Sequence, residues 1–253
     1  MAEWRKNMKR VKLIVAYDGT NYHGWQTQPN AVTIEEVLNH HLSELLKEEI
    51  KVIGASRTDA GVHALGNVAV FDTSARMPAD KISYALNTRL PEDIRIQDSC
   101  EVPSDFHPRF QKTTKTYEYR ILNRRFPDPT RRLNSFFYYY PLDVVKMQEA
   151  SLYLVGEHDF KSFCTEKPEV TNTVRTIYSL NVIKEGDMII IRVTGNGFLY
   201  NMVRIISGTL IEVGNGQYPP ERVKTILEAC NREMAGPTAP AQGLTLMGIE
   251  FFD

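Results

Sequence analysis

The chain has 253 residues, which is enough for two ordinary domains or one large domain with a hydrophobic core. Its 42% hydrophobic and 24% charged residues are typical of a globular protein, and its net charge of -1 excludes a strongly basic protein. The net charge does not exclude RNA binding, because binding depends on where the charges lie rather than on their sum.

The first half of the chain alternates strand and helix signals. Thr33 begins a helix with a capping-box pattern that ends in Glu36. The predicted order is β-α-β-β-α-β, the order of the ferredoxin-like motif. The predicted elements are strand 11–16, a helix from Thr33, strands 50–54 and 67–73, a helix from Pro78, and strand 94–98.

The second half repeats this order with one extra strand and one extra helix. Its predicted elements are strand 116–122, the extra strand 136–140, helix 144–155, hairpin strands 177–183 and 188–193, helices 198–213 and 220–230, and strand 246–251. The fold class is therefore α+β, with two ferredoxin-like halves and antiparallel-rich sheets. We expect an N-terminal domain at 1–105 and a C-terminal domain at 106–253. The pattern does not decide whether the two sheets fuse.

Side chains that usually ligate metals are few and scattered. The three cysteines, Cys100, Cys164 and Cys230, form no close pair, so we expect no disulfide framework and no structural zinc. The six histidines show no HExxH or similar spacing, and no glycine-rich phosphate loop is present. The first apolar run, at 13–17, is too short for a membrane or signal segment. These features predict a cytoplasmic protein with no metal and no nucleotide cofactor.

A single acid, Asp59, lies in the stretch GASRTDAGVHALGNV at 54–68. The strands predicted around it leave a loop of about a dozen residues, whereas a plain turn needs about two to five. Asp59 either caps its own backbone or is presented for chemistry, and the stretch alone leaves both interpretations open.

A lone arginine, Arg204, lies in the middle of the predicted helix 198–213, which is apolar almost all round. An enclosed guanidinium needs a partner, because breaking a buried ion pair costs about 3–5 kcal/mol. The helix offers no acid until Glu212, so we expect an acid from elsewhere, and Asp59 is a candidate. A purely structural ion pair remains an equal alternative at this point.

The middle of the chain is locally basic. An excess of positive charge of this kind suits phosphate binding, although a solvated surface is the ordinary alternative. Tyr117 and Tyr119 alternate within KTYEYRI and share one face of a strand, either for core packing or for stacking on a base. Between 109 and 132 the bases are Arg109, Lys112, Lys115, Arg120, Arg124, Arg125, Arg131 and Arg132, against the acids Glu118 and Asp128. A second basic run consists of Arg5, Lys6, Lys9, Arg10 and Lys12.

Seven blocks resemble the tRNA pseudouridine synthase A family, in the order in which that family has them. They cover nearly the whole chain, and the stretch 126–140 matches least. The blocks are YDGTNYHGWQTQP, SRTDAGVHALGNV, ALNTRLPEDI, KTYEYRI, GEHDF, FLYNMVRIISGTLIEVGNG and APAQGLTL.

The resemblance implies isomerisation of uridine to pseudouridine at positions 38 to 40 of tRNA, with no cofactor. It also implies two α+β domains that share a sheet around a basic cleft, and a homodimer in which one tRNA contacts both subunits. The resemblance places the dimer interface in the C-terminal domain. The rival interpretations are a non-catalytic RNA-binding module and a glycosidic hydrolase, although a hydrolase usually needs two carboxylates.

The resemblance also implies roles for individual residues. Asp59 matches the catalytic aspartate, and Arg204 matches the basic residue that pairs with it. Tyr117 matches the tyrosine that packs against the target base, Leu244 the aliphatic residue of the base pocket, and Arg57 the arginine that helps to displace the base. The residues expected to bind the RNA backbone are Arg109, Lys112 and Lys115.

Overall fold

The structure is a computed structural model in which residues 8–165 and 172–252 are described. Arg5 and Lys6 of the N-terminal basic run lie outside the described residues. The chain forms two compact units: the first runs to Lys112 and resumes at Leu246, and the second is Thr113–Thr245. The fold is α+β with mostly antiparallel strand pairing, as the sequence predicts. No helix in the described part of the chain is long and apolar enough to cross a membrane.

The sheet of the first unit is organised around β1 (Lys9–Tyr17), in which every second residue is buried from Val11 onward. β1 pairs antiparallel with β3 (His63–Thr73) on one side and with β4 (Ile94–Val102) on the other. The short strand β2 (Ile53–Gly54) pairs with β3, and β10 (Leu244–Phe252) also lies beside β3.

The predicted strand 50–54 is wrong over its first three residues. The backbone N–H of Ile50 donates to Ser43 Oγ at 2.9 Å, and that of Val52 donates to Asn39 Oδ1 at 2.8 Å. Two side chains of helix α1 (Ile34–Leu46) therefore take the bonds that a strand partner would make. Only the last two residues of the prediction are left to form β2.

The two helices of the first unit follow the predicted pattern. The Glu36 N–H donates to Thr33 Oγ1 at 3.4 Å, which confirms the predicted cap of α1. Helix α2 (Ala79–Asn87) follows Pro78 and packs against β4. The buried residues of α1 recur at every fourth position and form one apolar stripe: Ile34, Leu38, Leu42 and Leu46.

The sheet of the second unit has the order β5 (Lys112–Asn123), β9 (Met188–Gly195), β8 (Val174–Glu185) and β7 (Gly156–Asp159), with all neighbours antiparallel. The predicted hairpin is confirmed, because β8 and β9 are joined by a turn with Gly186 at φ +59°. The predicted extra strand is present as β6 (Phe136–Tyr138), which runs parallel to β5. The sequence pattern missed β7, because four residues are too few to show alternation.

The helices of the second unit are α3 (Val144–Leu152), α4 (Met202–Gly214) and α5 (Arg222–Ala229). Helix α4 is buried all round except at Arg204 and Glu212, as its apolar sequence predicts. Its predicted start at residue 198 is wrong, because Asn201 has the left-handed φ of +61° and the helix begins after it. Arg204 therefore lies in the first turn of α4 rather than in its middle, and it is half-buried.

The small residues of α4 let another segment of the second unit cross it at backbone distance. A Cβ added at Gly208 would overlap the carbonyl oxygen of Pro237. A Cβ added at Gly236 would lie 2.7 Å from the Cα of Thr209, and the Gly236 N–H donates to Thr209 Oγ1 at 3.0 Å. Residues 236–239 are thus fixed against the helix.

We expect Gly208→Ala to destabilise the protein by about 1–3 kcal/mol, because the new methyl group must push the chain away from α4. Urea unfolding monitored by circular dichroism measures the change. Gly197→Ala is the control, because a Cβ there meets only the Arg175 side chain, at 3.9 Å. Equal unfolding midpoints for the two variants would contradict the close crossing.

Candidate active site

Asp59 lies in a loop, residues 55–62, between β2 and β3 of the first unit. Asp59 is half-buried, Arg57 is exposed and Thr58 is buried. The loop is shorter than predicted because β3 begins at His63 rather than at Asn67. A turn closes it: the Val62 N–H donates to the Asp59 carbonyl at 3.1 Å, and Gly61 has φ +75°, as the third residue of a type II turn requires.

The segment 17–25 supports this loop through backbone and side-chain hydrogen bonds. The Trp25 N–H donates to the Thr58 carbonyl at 3.0 Å, and the Gly61 N–H donates to the Tyr22 carbonyl at 3.2 Å. Tyr17 Oη and Thr58 Oγ1 are hydrogen-bonded at 2.7 Å. The residues on both sides of Asp59 are therefore held in place, which is the preorganisation that a reacting carboxylate needs.

Asn67 also holds the loop, and sequence reasoning missed it. Its wholly buried amide donates to the Ser56 carbonyl at 3.0 Å and to Tyr17 Oη at 3.3 Å, and its oxygen accepts from the Val68 N–H at 2.9 Å. The sequence signal that could have identified it is an amide beside the apolar run in NVAVF. An amide in such a position is expected to be buried, and a buried amide needs hydrogen-bond partners.

The predicted RNA-binding residues occupy different surroundings. Arg109 Nε donates to the Gly54 carbonyl at 2.7 Å, immediately before the Asp59 loop. Partial burial lowers the pKa of Arg109, and the positive charge of Arg57 lowers it further, so two cationic side chains lie near this loop. Lys112 is exposed at the start of β5, and Lys115 is half-buried further along the same strand.

In the second unit, Tyr117 is buried on β5 and its ring meets Phe198 edge-on, with centroids 5.3 Å apart. Tyr119 is buried two residues further along β5, on the same face, and its hydroxyl donates to the Pro240 carbonyl at 2.9 Å. Burial raises the pKa of Tyr119, although the charge of Arg204 opposes the rise. Leu244 is buried at the start of β10.

Arg204 joins α4 to the segment that leads to Leu244. Its Nε donates to the Ala239 carbonyl at 2.7 Å, and its Nη1 donates to Asn201 Oδ1 at 2.9 Å. In return, the Ala239 N–H donates to the Arg204 carbonyl at 3.1 Å. The structure thus gives Arg204 a positioning role that the sequence did not indicate. Its pairing with Asp59 stays a prediction.

Part of the predicted basic stretch is neutralised within the protein. Glu118 is buried and accepts hydrogen bonds from Arg192 Nε at 2.8 Å and from Arg120 Nη2 at 2.9 Å. Burial alone would raise the pKa of Glu118, but the two guanidinium groups outweigh it and hold that pKa below its usual range. Arg120 therefore has a structural role in this sheet.

One side-chain cluster among the described residues has ligand atoms close enough together for a metal ion. Glu44 Oε2 lies 3.7 Å from His40 Nε2 and 3.7 Å from His41 Nδ1, on α1. These three residues do not follow the HExxH spacing and were not predicted as ligands. Their donor set suits a borderline cation such as zinc.

Comparison with known proteins identifies close relatives over nearly the whole chain. A family model described as tRNA pseudouridine synthase matches residues 13–111 and 150–251. Proteins named tRNA pseudouridine synthase A from Thermoanaerobacter sp. and Ruminiclostridium cellulolyticum are each 49% identical to this chain, and one from Brevibacillus brevis is 48% identical. Each comparison covers 96% of this chain and 99–100% of the relative.

The ranges matched by the family model contain most of the predicted site residues. Asp59, Arg57, Arg204 and Leu244 lie within them, whereas Tyr117 lies in the stretch 112–149 between the two ranges. The stretch 126–140, expected from the sequence to resemble the family least, lies in the same gap between the matched ranges.

We expect Arg204→Leu to lower the free energy of unfolding by about 1–3 kcal/mol, because the buried Ala239 carbonyl loses its charged donor. The melting temperature of the purified variant measures this effect. Arg232→Leu is a partial control, because Arg232 also donates to backbone carbonyls, at Gly236 and Ala235, but with longer bonds of 3.1 and 3.5 Å. An Arg204→Leu variant that melts like the wild type would contradict the positioning role.

Proposed function

Because this chain belongs to the tRNA pseudouridine synthase family, we propose that it isomerises uridine to pseudouridine at positions 38 to 40 of the tRNA anticodon stem-loop. The observation that carries the proposal is the loop around Asp59. It lies within the family match, and hydrogen bonds to Trp25 at Thr58 and to Tyr22 at Gly61 fix its backbone before and after the carboxylate.

The proposed reaction rearranges one nucleotide and needs no second substrate. The bond between ribose C1′ and uracil N1 breaks, the base turns, and C5 bonds to C1′ instead. C5 then loses its proton and N1 gains one, so the product is an isomer of the substrate. The ionised carboxylate of Asp59 acts at the ribose, either by attacking C1′ or by removing the proton from C2′. No group is gained or lost, so no cofactor is required.

The neighbouring residues receive supporting roles. Arg57, exposed on the same loop, helps to displace the target base and to hold it outside the stack, a step that costs a few kcal/mol. Tyr117 packs against the displaced base, and Leu244 lines the pocket that receives it. Arg204 pairs with Asp59 and favours its ionised form. Arg204 also fixes the segment before Leu244, through its hydrogen bond to the Ala239 carbonyl.

The remaining parts of the proposal concern tRNA binding and assembly. Arg109, Lys112 and Lys115 bind tRNA phosphates, because they belong to the locally basic stretch 109–132. We also propose that the enzyme works in the cytoplasm as a homodimer, with one tRNA contacting both subunits. Size-exclusion chromatography with light scattering, with and without tRNA, tests the oligomeric state.

We expect Asp59→Asn to abolish pseudouridine formation while folding and tRNA binding persist, because the change removes the charge but little volume. Tritium release from tRNA labelled at uridine C5 measures turnover, and gel shift measures binding. Asp80→Asn, the same change on an exposed side chain of α2, is the control.

Retained turnover in Asp59→Asn would refute the catalytic role of this carboxylate. Tight binding of tRNA by the wild type without tritium release would favour the non-catalytic RNA-binding alternative. Transcripts in which each of the three target uridines is replaced by cytidine identify the positions that react.

A further inference from the structure

Phe110 is the most exposed large hydrophobic side chain among the described residues, at 84%. It lies in a turn, residues 107–110, between β4 and β5, in the first unit. A single exposed apolar residue is normal for a protein surface and carries no meaning alone. The surroundings of this ring are what set it apart.

The Phe110 ring lies parallel to the imidazole of His107. Their centroids are 4.0 Å apart and their planes differ by 16°, which is a stacked pair. The turn fixes the backbone of both residues and the imidazole of His107: the Phe110 N–H donates to the His107 carbonyl at 3.1 Å, and the Arg109 N–H donates to His107 Nδ1 at 3.2 Å. The pair therefore presents a flat aromatic surface that needs little further ordering on binding.

The residue just before this turn is anchored to the sheet of the first unit. The Phe106 carbonyl accepts from Arg10 Nη1 at 2.9 Å, and the Phe106 ring packs on that of Phe251 at 5.2 Å. These contacts fix the start of the turn, so the Phe110 ring does not lie at the tip of an unsupported loop.

The same turn is connected to the Asp59 loop. Arg109, between the two stacked rings in sequence, donates to the carbonyl of Gly54, and the charge of Arg57 acts on it. The aromatic surface is thus accompanied by two guanidinium groups. Aromatic rings beside basic side chains are how proteins hold unpaired bases and their phosphates.

We propose that Phe110 and His107 form a stacking platform for an unpaired base of the tRNA, next to the target uridine, while Arg109 contacts the adjacent phosphate. The proposal deepens the proposed function and rests on it. The platform holds a neighbouring nucleotide rather than the reacting one. Holding that neighbour keeps the strand in place while the target base leaves the stack.

We expect Phe110→Ala to weaken binding of unmodified tRNA by about 5- to 100-fold, the usual effect of losing one base–aromatic stack. KM should rise by a similar factor, and kcat should change little, because no reacting atom is touched. Phe110→Trp should restore binding. Tyr84→Ala is the matched control, since Tyr84 is 73% exposed on α2 of the same unit and carries no stacked partner ring among the described contacts.

Two further measurements separate stacking from charge. Phe110→Ala should leave the salt dependence of binding unchanged, whereas Lys112→Glu should flatten it. A fully paired RNA stem, which offers no unpaired base, should bind the wild type and Phe110→Ala equally.

Wild-type affinity and KM in Phe110→Ala would overturn the platform, as would an equal loss in Tyr84→Ala or an equal loss on the paired stem. These outcomes are distinct from failure of the proposed function. If the wild-type protein releases no tritium, the proposed function is wrong, even if Phe110→Ala weakens tRNA binding. If the wild-type protein is active and Phe110→Ala leaves KM unchanged, only the platform is wrong.

Discussion

The structure of the candidate site depends on how the segment 17–25 and Asn67 hold the backbone of residues 55–62. A loop that carries an acid would otherwise be mobile, and a mobile carboxylate loses the advantage of fixed geometry. Here Trp25 and Tyr17 bind Thr58 of this loop, and Asn67 binds Ser56. The first sequence block of the family resemblance is therefore a support for the second, which contains Asp59.

In the second unit, too, fixed contacts hold the backbone beside a predicted site residue. Arg204 and Ala239 exchange hydrogen bonds, and the glycines at 208 and 236 let the crossing chain reach α4 at backbone distance. The sequence indicates that the guanidinium of Arg204 needs hydrogen-bond partners. The predicted partner was an acid, whereas one observed partner is the main-chain carbonyl of Ala239, which no sequence pattern identifies.

Most of the fold was predictable because its strands alternate and its helices have apolar stripes, as in α1. The errors arose where side chains replaced backbone partners or where one residue left the regular conformation. Ser43 and Asn39 took the bonds of the predicted strand 50–54, and Asn201 delayed the start of α4. The sequence also does not show which base of the middle segment each acid neutralises, and the structure shows that Glu118 binds Arg120 within the sheet.

The last strand has a consequence for how the protein is made. β10 begins at Leu244 in the second unit, and from Leu246 onward its residues belong to the first unit, where it lies beside β3. During synthesis the N-terminal unit therefore lacks one strand until residues 246–252 have left the ribosome. Phe251, which supports Phe106, also arrives only then. Completion of the unit that carries Asp59 thus depends on residues that are synthesised after the whole second unit, and a chain interrupted before residue 246 lacks the strand that lies beside β3.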